Sequence, residues 1–392
     1  MITIEGNPMD CFDFYNPVKV LFGKGKIAAI ANEIPTDARV LMTYGGGSIK
    51  KNGVYEQVKA ALAKHTVLEF GGITPNPELE ILLDAVKLAR TEEITYLLAI
   101  GGGSVIDATK FIAVAVPFVG DLWDILVANA PLTAALPLGT VLTLPATGSE
   151  MNSYFVVTRR SSQEKLQSRS ELVFPRFSVL DPTVTFSLPR HQISNGIVDS
   201  FTHTLEQYLT YPVNAALQDR MAESILLTLI EEGPKTLAAP TDYDARANLM
   251  WCATIADNEL IGAGVPQDWS THMIAHELTA LYGLDHAVTL AIIMPSLLTY
   301  KRDTKGAKLL QFARRVWGIT QGNDEQRISQ AISATRNFFE SLGLSTRLRD
   351  YGLDSSCISE VIESLDKHDL VPLGERQDIT LEDVRQILSL SI

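Results

Sequence analysis

The 392-residue sequence has only three cysteines, Cys11, Cys252 and Cys357, far apart and with no C-x-x-C pair among them. That scarcity excludes a disulfide framework and a cysteine metal site, and it reads as reduced thiols in a cytoplasmic protein. Basic charge is not in excess either, since 33 Lys and Arg stand against 46 Asp and Glu, a formal net charge of -13. A surface of that sign attracts neither nucleic acid nor an anionic membrane. No apolar run reaches spanning length, because charged or polar residues interrupt every candidate. The amino-terminal stretch MITIEGNPMDCFDF offers neither a basic region nor a signal-like apolar core. Low-complexity tracts and coiled-coil repeats are lacking too. What remains is a chain 46% hydrophobic and longer than the usual ceiling for one core, which predicts two well-packed globular domains.

Histidine is also scarce, with seven in the chain, yet His272, His276 and His286 fall within one short stretch. His272 and His276 stand four apart, so on a helix they share a face, and Gly283 is placed to end that helix and let His286 fold back. A histidine pair of this spacing is about as often packed or solvated as functional. Upstream, in NGIVDSFTHTLEQYLT, Asp199 and His203 repeat the spacing ahead of an apolar-periodic pattern. One hard oxygen with three borderline nitrogens suits zinc or ferrous iron better than calcium or magnesium. In a zinc-peptidase helix the glutamate follows the first histidine. Here Met273 follows His272 and Glu277 comes only after His276, which disfavours peptide hydrolysis.

The first half of the chain alternates short apolar runs with helical periodicity. An opening strand is expected at Phe14 to Phe22, a short helix in GKGKIAAIANEI, then a strand RVLMTY running into Gly45, Gly46, Gly47 and Ser48. A helical stretch to about Lys64, a strand TVLEF and the turn GGITPNP follow. A helix from Glu78 to Glu92 then leads to TYLLAI, which runs into Gly101, Gly102, Gly103 and Ser104, with Asp107 and Lys110 on the next helix. Strand, glycine turn, helix and strand make a βαβ unit. A triple glycine between a buried strand and a helix start lets the backbone approach a pyrophosphate, whose oxygens meet the free amides of the helix end. A lone GGGS is also an ordinary tight turn. VLTLPATGSE adds a strand whose end carries Thr143, Thr147 and Ser149, expected to face the same crevice. Pro189 is the last strong breaker. The expected domains are therefore a Rossmann-like α/β dinucleotide-binding domain over 1–189 and an all-helical metal-binding domain over 190–392. The apolar stripes of the later helices, Trp251 and Phe339 included, read as core.

The segments LFGKG, GGITPNP, GGGSVIDATK, TLPATGSE, NGIVDSFTH and HMIAHELTALYGLDHA resemble, in order and spacing, the iron-containing (group III) alcohol dehydrogenases. The likeness covers nearly the whole chain. Its first glycine turn and IGAGVPQDW are most similar to the branch of NADPH-dependent aldehyde reductases and butanol dehydrogenases. The resemblance implies a dehydroquinate synthase-like architecture, α/β then all-α. It implies one zinc or iron ion on Asp199, His203, His272 and His286, with His276 close to the reacting centre without being a ligand. Because an imidazole titrates near neutral pH, His276 is expected to relay a proton there, directly or through a water or ribose hydroxyl; the alternative is a histidine that only orients a ligand. It implies NADP(H) on Gly102, Gly103 and Ser104, with Asn76, Asp107, Thr143, Thr147, Ser149 and Lys165 around it. The implied reaction moves a hydride between NADPH and short- to medium-chain aldehydes, with primary alcohols in the reverse direction, in a cytoplasmic homodimer. One departure is Ala287, where many members have glycine after the last metal histidine.

NAD-using members often have aspartate where this chain has Gly46, so the turn TYGGGSIKK offers no acid to repel a 2′-phosphate. Gly46, Gly47 and Ser48 then leave room for that phosphate, Ser48 donating to it and Lys50 or Lys51 adding charge. The alternative within the same architecture is a dehydroquinate synthase-like or polyol-type metal- and NAD-dependent enzyme. A phosphorylated, polyhydroxylated acid would call for several Lys or Arg residues beside the metal. The sequence neighbours are instead Ile197, Val198, Ile261, Val265, Met273 and Ile274. A non-enzymatic metal-binding protein would leave the glycine turns without a purpose.

Overall fold

The described residues form eight strands, those of the main sheet from short, largely apolar runs: β1 (Lys19–Phe22), β2 (Arg39–Tyr44), β3 (Thr66–Phe70), β4 (Tyr96–Gly102), β5 (Leu138–Leu144), β6 (Tyr154–Arg159), β7 (Glu164–Arg169) and β8 (Phe177–Leu180). This is a computed structural model in which residues 7–392 are described, so the first six residues of the amino-terminal stretch lie outside it. Six strands form one sheet in the order β1-β8-β5-β4-β2-β3, every neighbouring pair parallel. β6 and β7 make a separate antiparallel hairpin. Helices α1 (Val54–Ala61), α2 (Leu79–Thr91), α3 (Gly103–Ala115) and the short α4 (Asp124–Val127) connect the early strands.

Parallel strands covered on both faces bury both sets of alternating side chains. On β2, Leu41 enters one core while Val40 and Met42 enter the other; on β4, Leu97 and Ala99 separate in the same way from Leu98 and Ile100. The opening strand is shorter than the sequence suggested. Asn16 spends its side-chain amide on the carbonyls of Met151 and Asn258, and Pro17 has no N–H to give, so pairing starts at Lys19. The expected first helix is a 3-10 stretch, Lys26–Asn32.

The remainder is helical: α5 (Arg190–Tyr208), α6 (Ala216–Ala238), α7 (Tyr243–Ala256), α8 (Ser270–Tyr282), α9 (His286–Tyr300), α10 (Gly306–Arg315), α11 (Asp324–Ser341), α12 (Cys357–Lys367) and α13 (Leu381–Ser389). The chain forms two compact units. One comprises Tyr15–Pro189 and Ala239–Asn258, so α7 belongs with the sheet; the other comprises the described residues up to Phe14, Arg190–Ala238 and Glu259–Ile392. In the helical unit α5 packs on α6 and α9, and α8 packs on α9. Phe201, Phe312, Trp317, Phe338 and Phe339 form an aromatic cluster there, and Phe339 is fully buried as expected. Trp251 is not core: it is 41% exposed, with its indole edge-on to Phe22. No helix of the described residues is long and apolar enough to cross a membrane. None of the three cysteines is in a disulfide; Cys11 is exposed and the other two are buried.

Candidate metal centre and dinucleotide turns

In the helical unit, α5 carries Asp199 and His203 one turn apart and α8 carries His272 and His276 one turn apart. α8 stops at Gly283, which adopts a left-handed φ of 68° and returns its N–H to Thr279 O. The reversal brings His286 in as the first residue of α9. Asn195 of α5 donates to Asp285 Oδ2 at 2.9 Å and ties that turn back to α5.

Asp199 Oδ1 lies 3.8 Å from His203 Nδ1, 3.9 Å from His272 Nε2 and 3.8 Å from His286 Nε2. Tetrahedral ligands on bonds of about 2.1 Å sit roughly 3.4 Å from one another, so these atoms are a few tenths of an ångström outside a closed shell. The ligand atoms of Asp199, His272 and His286 also lie within 4.8 Å of one another, whereas His203 stacks its ring on His272 with centroids 4.5 Å apart. Asp199 Oδ1 and His203 Nδ1 are buried and make no hydrogen bond among the described residues. A buried carboxylate oxygen without a donor is costly, and a cation between it and the imidazoles removes that cost, so the donor set fits a divalent ion. His276 stands beside this group, outside it, its ring centroid 5.0 Å from that of His286 and 6.3 Å from that of His272.

Sequence reasoning missed Glu206. It lies three residues after His203 on α5, is almost fully buried, meets His272 Nδ1 with Oε2 and accepts the Thr271 N–H on Oε1 at 2.6 Å. Its signal was an acidic residue at helical spacing from Asp199 and His203. Burial, then the nearby Asp268 carboxylate, pushes the Glu206 carboxyl well above the usual range. A divalent cation one imidazole away acts in the opposite sense. Asp268 is held in turn by Lys305 Nζ at 2.7 Å, and the same ammonium pairs with Glu375 at 2.9 Å and donates to Leu209 O at 2.7 Å.

In the α/β unit the glycine turns after β2 and β4 end adjacent parallel strands and so lie together at the carboxyl end of the sheet. The β4 turn needs glycine for space: a Cβ on Gly102 would sit 2.9 Å from Leu144 Cβ, and one on Gly103 would run into Thr147. α3 starts at Gly103, presenting its unpaired first-turn amides there. Asn76 N–H donates to Ser104 Oγ at 3.3 Å, and Ser149 Oγ donates to Asp107 Oδ1 at 2.6 Å. Thr147 Oγ1 accepts from Ser149 N, Lys165 lies close enough to act on the Asp107 charge, and Thr143 is half-buried on β5. Burial outweighs these neighbours and raises the Asp107 carboxyl above its ordinary value. Lys110 is not part of the crevice; its ammonium is buried and bonded to Asn152 and to Tyr154 O.

The β2 turn differs. A Cβ on Gly46 or Gly47 would meet nothing within 4 Å, and Ser48 is exposed. Lys50 reaches over the rings of Tyr44 and Tyr55, 4.9 and 5.0 Å from their centroids, and lies 3.7 Å from Glu69 Oε2. Both tyrosine hydroxyls donate to Glu69, a cluster that the sequence did not disclose.

Comparison with known proteins adds an independent line. The family model "Iron-containing alcohol dehydrogenase" matches residues 17–182, and "Fe-containing alcohol dehydrogenase family, C-terminal" matches residues 193–392. The chain is 57% identical to an NADPH-dependent aldehyde reductase, YqhD, of Escherichia coli K12, over 97% of this chain and 99% of that one. It is 39% identical to NADH-dependent butanol dehydrogenase A of Clostridium acetobutylicum, over 97% and 99%. The crystal structure of Escherichia coli K-12 YqhD superposes with a TM-score of 0.98 at 56% identity, covering 98% of this chain and all of that one. With both family models spanning most of the sequence, this chain belongs to the iron-containing alcohol dehydrogenase family.

Proposed function

We propose that the protein is an NADP(H)-dependent aldehyde reductase and alcohol dehydrogenase acting on short- to medium-chain aldehydes, with one divalent ion held by Asp199, His203, His272 and His286. The observation that carries the reading is the set of three imidazole nitrogens at 3.8 to 3.9 Å from one buried carboxylate oxygen. A divalent ion there, zinc or iron, supplies Lewis-acid polarisation of a carbonyl oxygen, and the dinucleotide supplies the hydride to its carbon. The chain's own residues do the rest. His276, beside the ligands and not among them, passes a proton to that oxygen. Gly102, Gly103 and Ser104 seat the pyrophosphate on the amino end of α3, framed by Asn76, Asp107, Thr143, Thr147, Ser149 and Lys165.

Relatives of similar coverage carry names with either nicotinamide cofactor. The β2 turn favours NADP(H): it has no acid, open space at Gly46 and Gly47, and the Ser48 hydroxyl within the same turn. Lys50 faces Glu69, so its charge is already partly offset and Ser48 is the better donor to a 2′-phosphate. A homodimer in the cytoplasm completes the proposal, supported by the family resemblance and by three cysteines far apart in the sequence. The test is metal analysis of the purified chain alongside reduction rates for a graded series of aliphatic aldehydes with NADPH and NADH. Full turnover by metal-free protein would sink the reading, as would a preference for NADH.

A further inference from the structure

We propose that Glu206 is the positioning residue for His272, fixing the ring tautomer and orientation in which Nε2 can bind a metal. The proposal rests on the metal-site reading above and adds to it a residue outside the ligand set. On α5, Glu206 follows Asp199 by seven residues and His203 by three, so it lies on the face that carries both. Its Oε1 accepts the Thr271 N–H at 2.6 Å, its Oε2 meets His272 Nδ1, and its carbonyl accepts the Asp268 N–H at 2.9 Å. Contacts at residues 268, 271 and 272 therefore hold Glu206 against the first turn of α8.

A neutral imidazole carries one N–H. His272 Nε2 faces Asp199, so a coordinating ring keeps its hydrogen on Nδ1, where an acceptor must receive it. Glu206 Oε2 is placed there. Without it, the Nε2–H tautomer, which cannot coordinate, competes, and the ring loses the contact that sets its rotation. Lys305 also ties Asp268, just before α8, to Leu209 O, just after α5, a second link between the ends of the two helices that Glu206 joins.

The experiment uses the full chain stripped of metal, with Zn²⁺ affinity measured by competition against a chromophoric chelator. Glu206→Leu removes the acceptor, and Glu206→Asp keeps the charge but is one methylene too short to reach. Both are expected to weaken zinc binding about 10- to 100-fold. Glu206→Gln retains a carbonyl oxygen for Nδ1–H and should recover part of that loss. Nitrogen-15 imidazole spectra of the metal-free protein report the tautomer directly: the Nδ1–H form of His272 in the wild type, with Nε2–H appearing in the Leu and Asp variants. A merely structural role would not move that signature. If Glu206→Leu does not fold, Glu206→Asp decides. Should His286→Ala lose zinc while the folded Leu or Asp variant binds as the wild type does, the role of Glu206 is overturned and the metal site stands. Should His286→Ala also bind as the wild type does, the metal-site reading falls first.

Discussion

Replacing Lys305 by methionine tests how firmly the ligand helices are joined. The ammonium, nearly inaccessible to solvent, bonds to Asp268 Oδ2 at 2.7 Å, to Glu375 Oε2 at 2.9 Å and to Leu209 O at 2.7 Å. Methionine keeps the length of the stem and none of these bonds, so two buried carboxylates lose their counter-charge. Removing one partner of a buried ion pair costs about 3–5 kcal/mol. Total stabilities are about 5–15 kcal/mol, so the loss is a large fraction. The pH profile follows from the directions of the shifts. Burial pushes the Asp268 carboxyl up, but Lys305 and Ser270 outweigh it and leave it below its ordinary value. A lowered folded value means that Asp268 contributes fully above its unfolded pKa near 4, and that the contribution vanishes as pH falls through the folded value. Glu375, which burial raises, protonates earlier on the way down. For Lys305, burial pulls the ammonium down while Asp268 and Glu375 raise it further, so its contribution is complete below about pH 10 and is lost as pH rises through the folded value. Urea unfolding of both proteins, followed by tryptophan fluorescence, should therefore show a difference that is widest between about pH 5 and pH 10 and narrows on acidification. A difference under about 1 kcal/mol at pH 7, or one that does not narrow on acidification below about pH 4, would refute this account of the cluster.

Other outcomes follow from the two sites. Gly46→Asp fits without a clash, since its Cβ meets open space, and its charge should shift the NADPH-to-NADH ratio of kcat/KM at least about tenfold toward NADH; a ratio unchanged from the wild type would remove the β2 turn from cofactor choice. His276→Ala should keep its metal by elemental analysis while kcat falls about 10- to 1000-fold; loss of the metal would make His276 a ligand. His286→Ala should lose metal and turnover together. In the wild type, chelation should abolish activity and added Zn²⁺ or Fe²⁺ restore it, with occupancy weakening on acidification because only neutral imidazole coordinates.

The parts of the site legible in the sequence are those set by spacing within one helix or one turn. Asp199 with His203, His272 with His276, and the left-handed Gly283 all follow from local rules. The β4 turn is legible for the same reason, since its glycines stand between an apolar strand and a helix. Glu206 was not, because its role appears only once α8 lies against α5, 66 residues away from His272 along the chain. The Asp268–Lys305–Glu375 cluster joins residues 37 and 70 positions apart, beyond any local pattern. Lys50 looked like a free cation because Glu69 reaches it through the pairing of β2 with β3. Trp251 was misjudged because helical periodicity marks a face without locating its edge, and this indole lies at the edge.

The α7 segment has a consequence for cutting and recombining the chain. The polypeptide passes between the two units four times, after Phe14, Pro189, Ala238 and Asn258. A fragment ending at Pro189 would lack Met250, which fills the core beneath the sheet. It would also lack Thr254, which bonds to buried Glu150, and Asp257, whose carbonyl receives the Asn152 amide. Glu150 and Asn152 sit next to Ser149 at the end of the β5 turn, so such a fragment would lose the supports of that turn along with part of its core. Chimeras built between relatives must therefore exchange residues 239–258 together with the strands. A single junction at Pro189 would pair each β5 turn with another protein's supports.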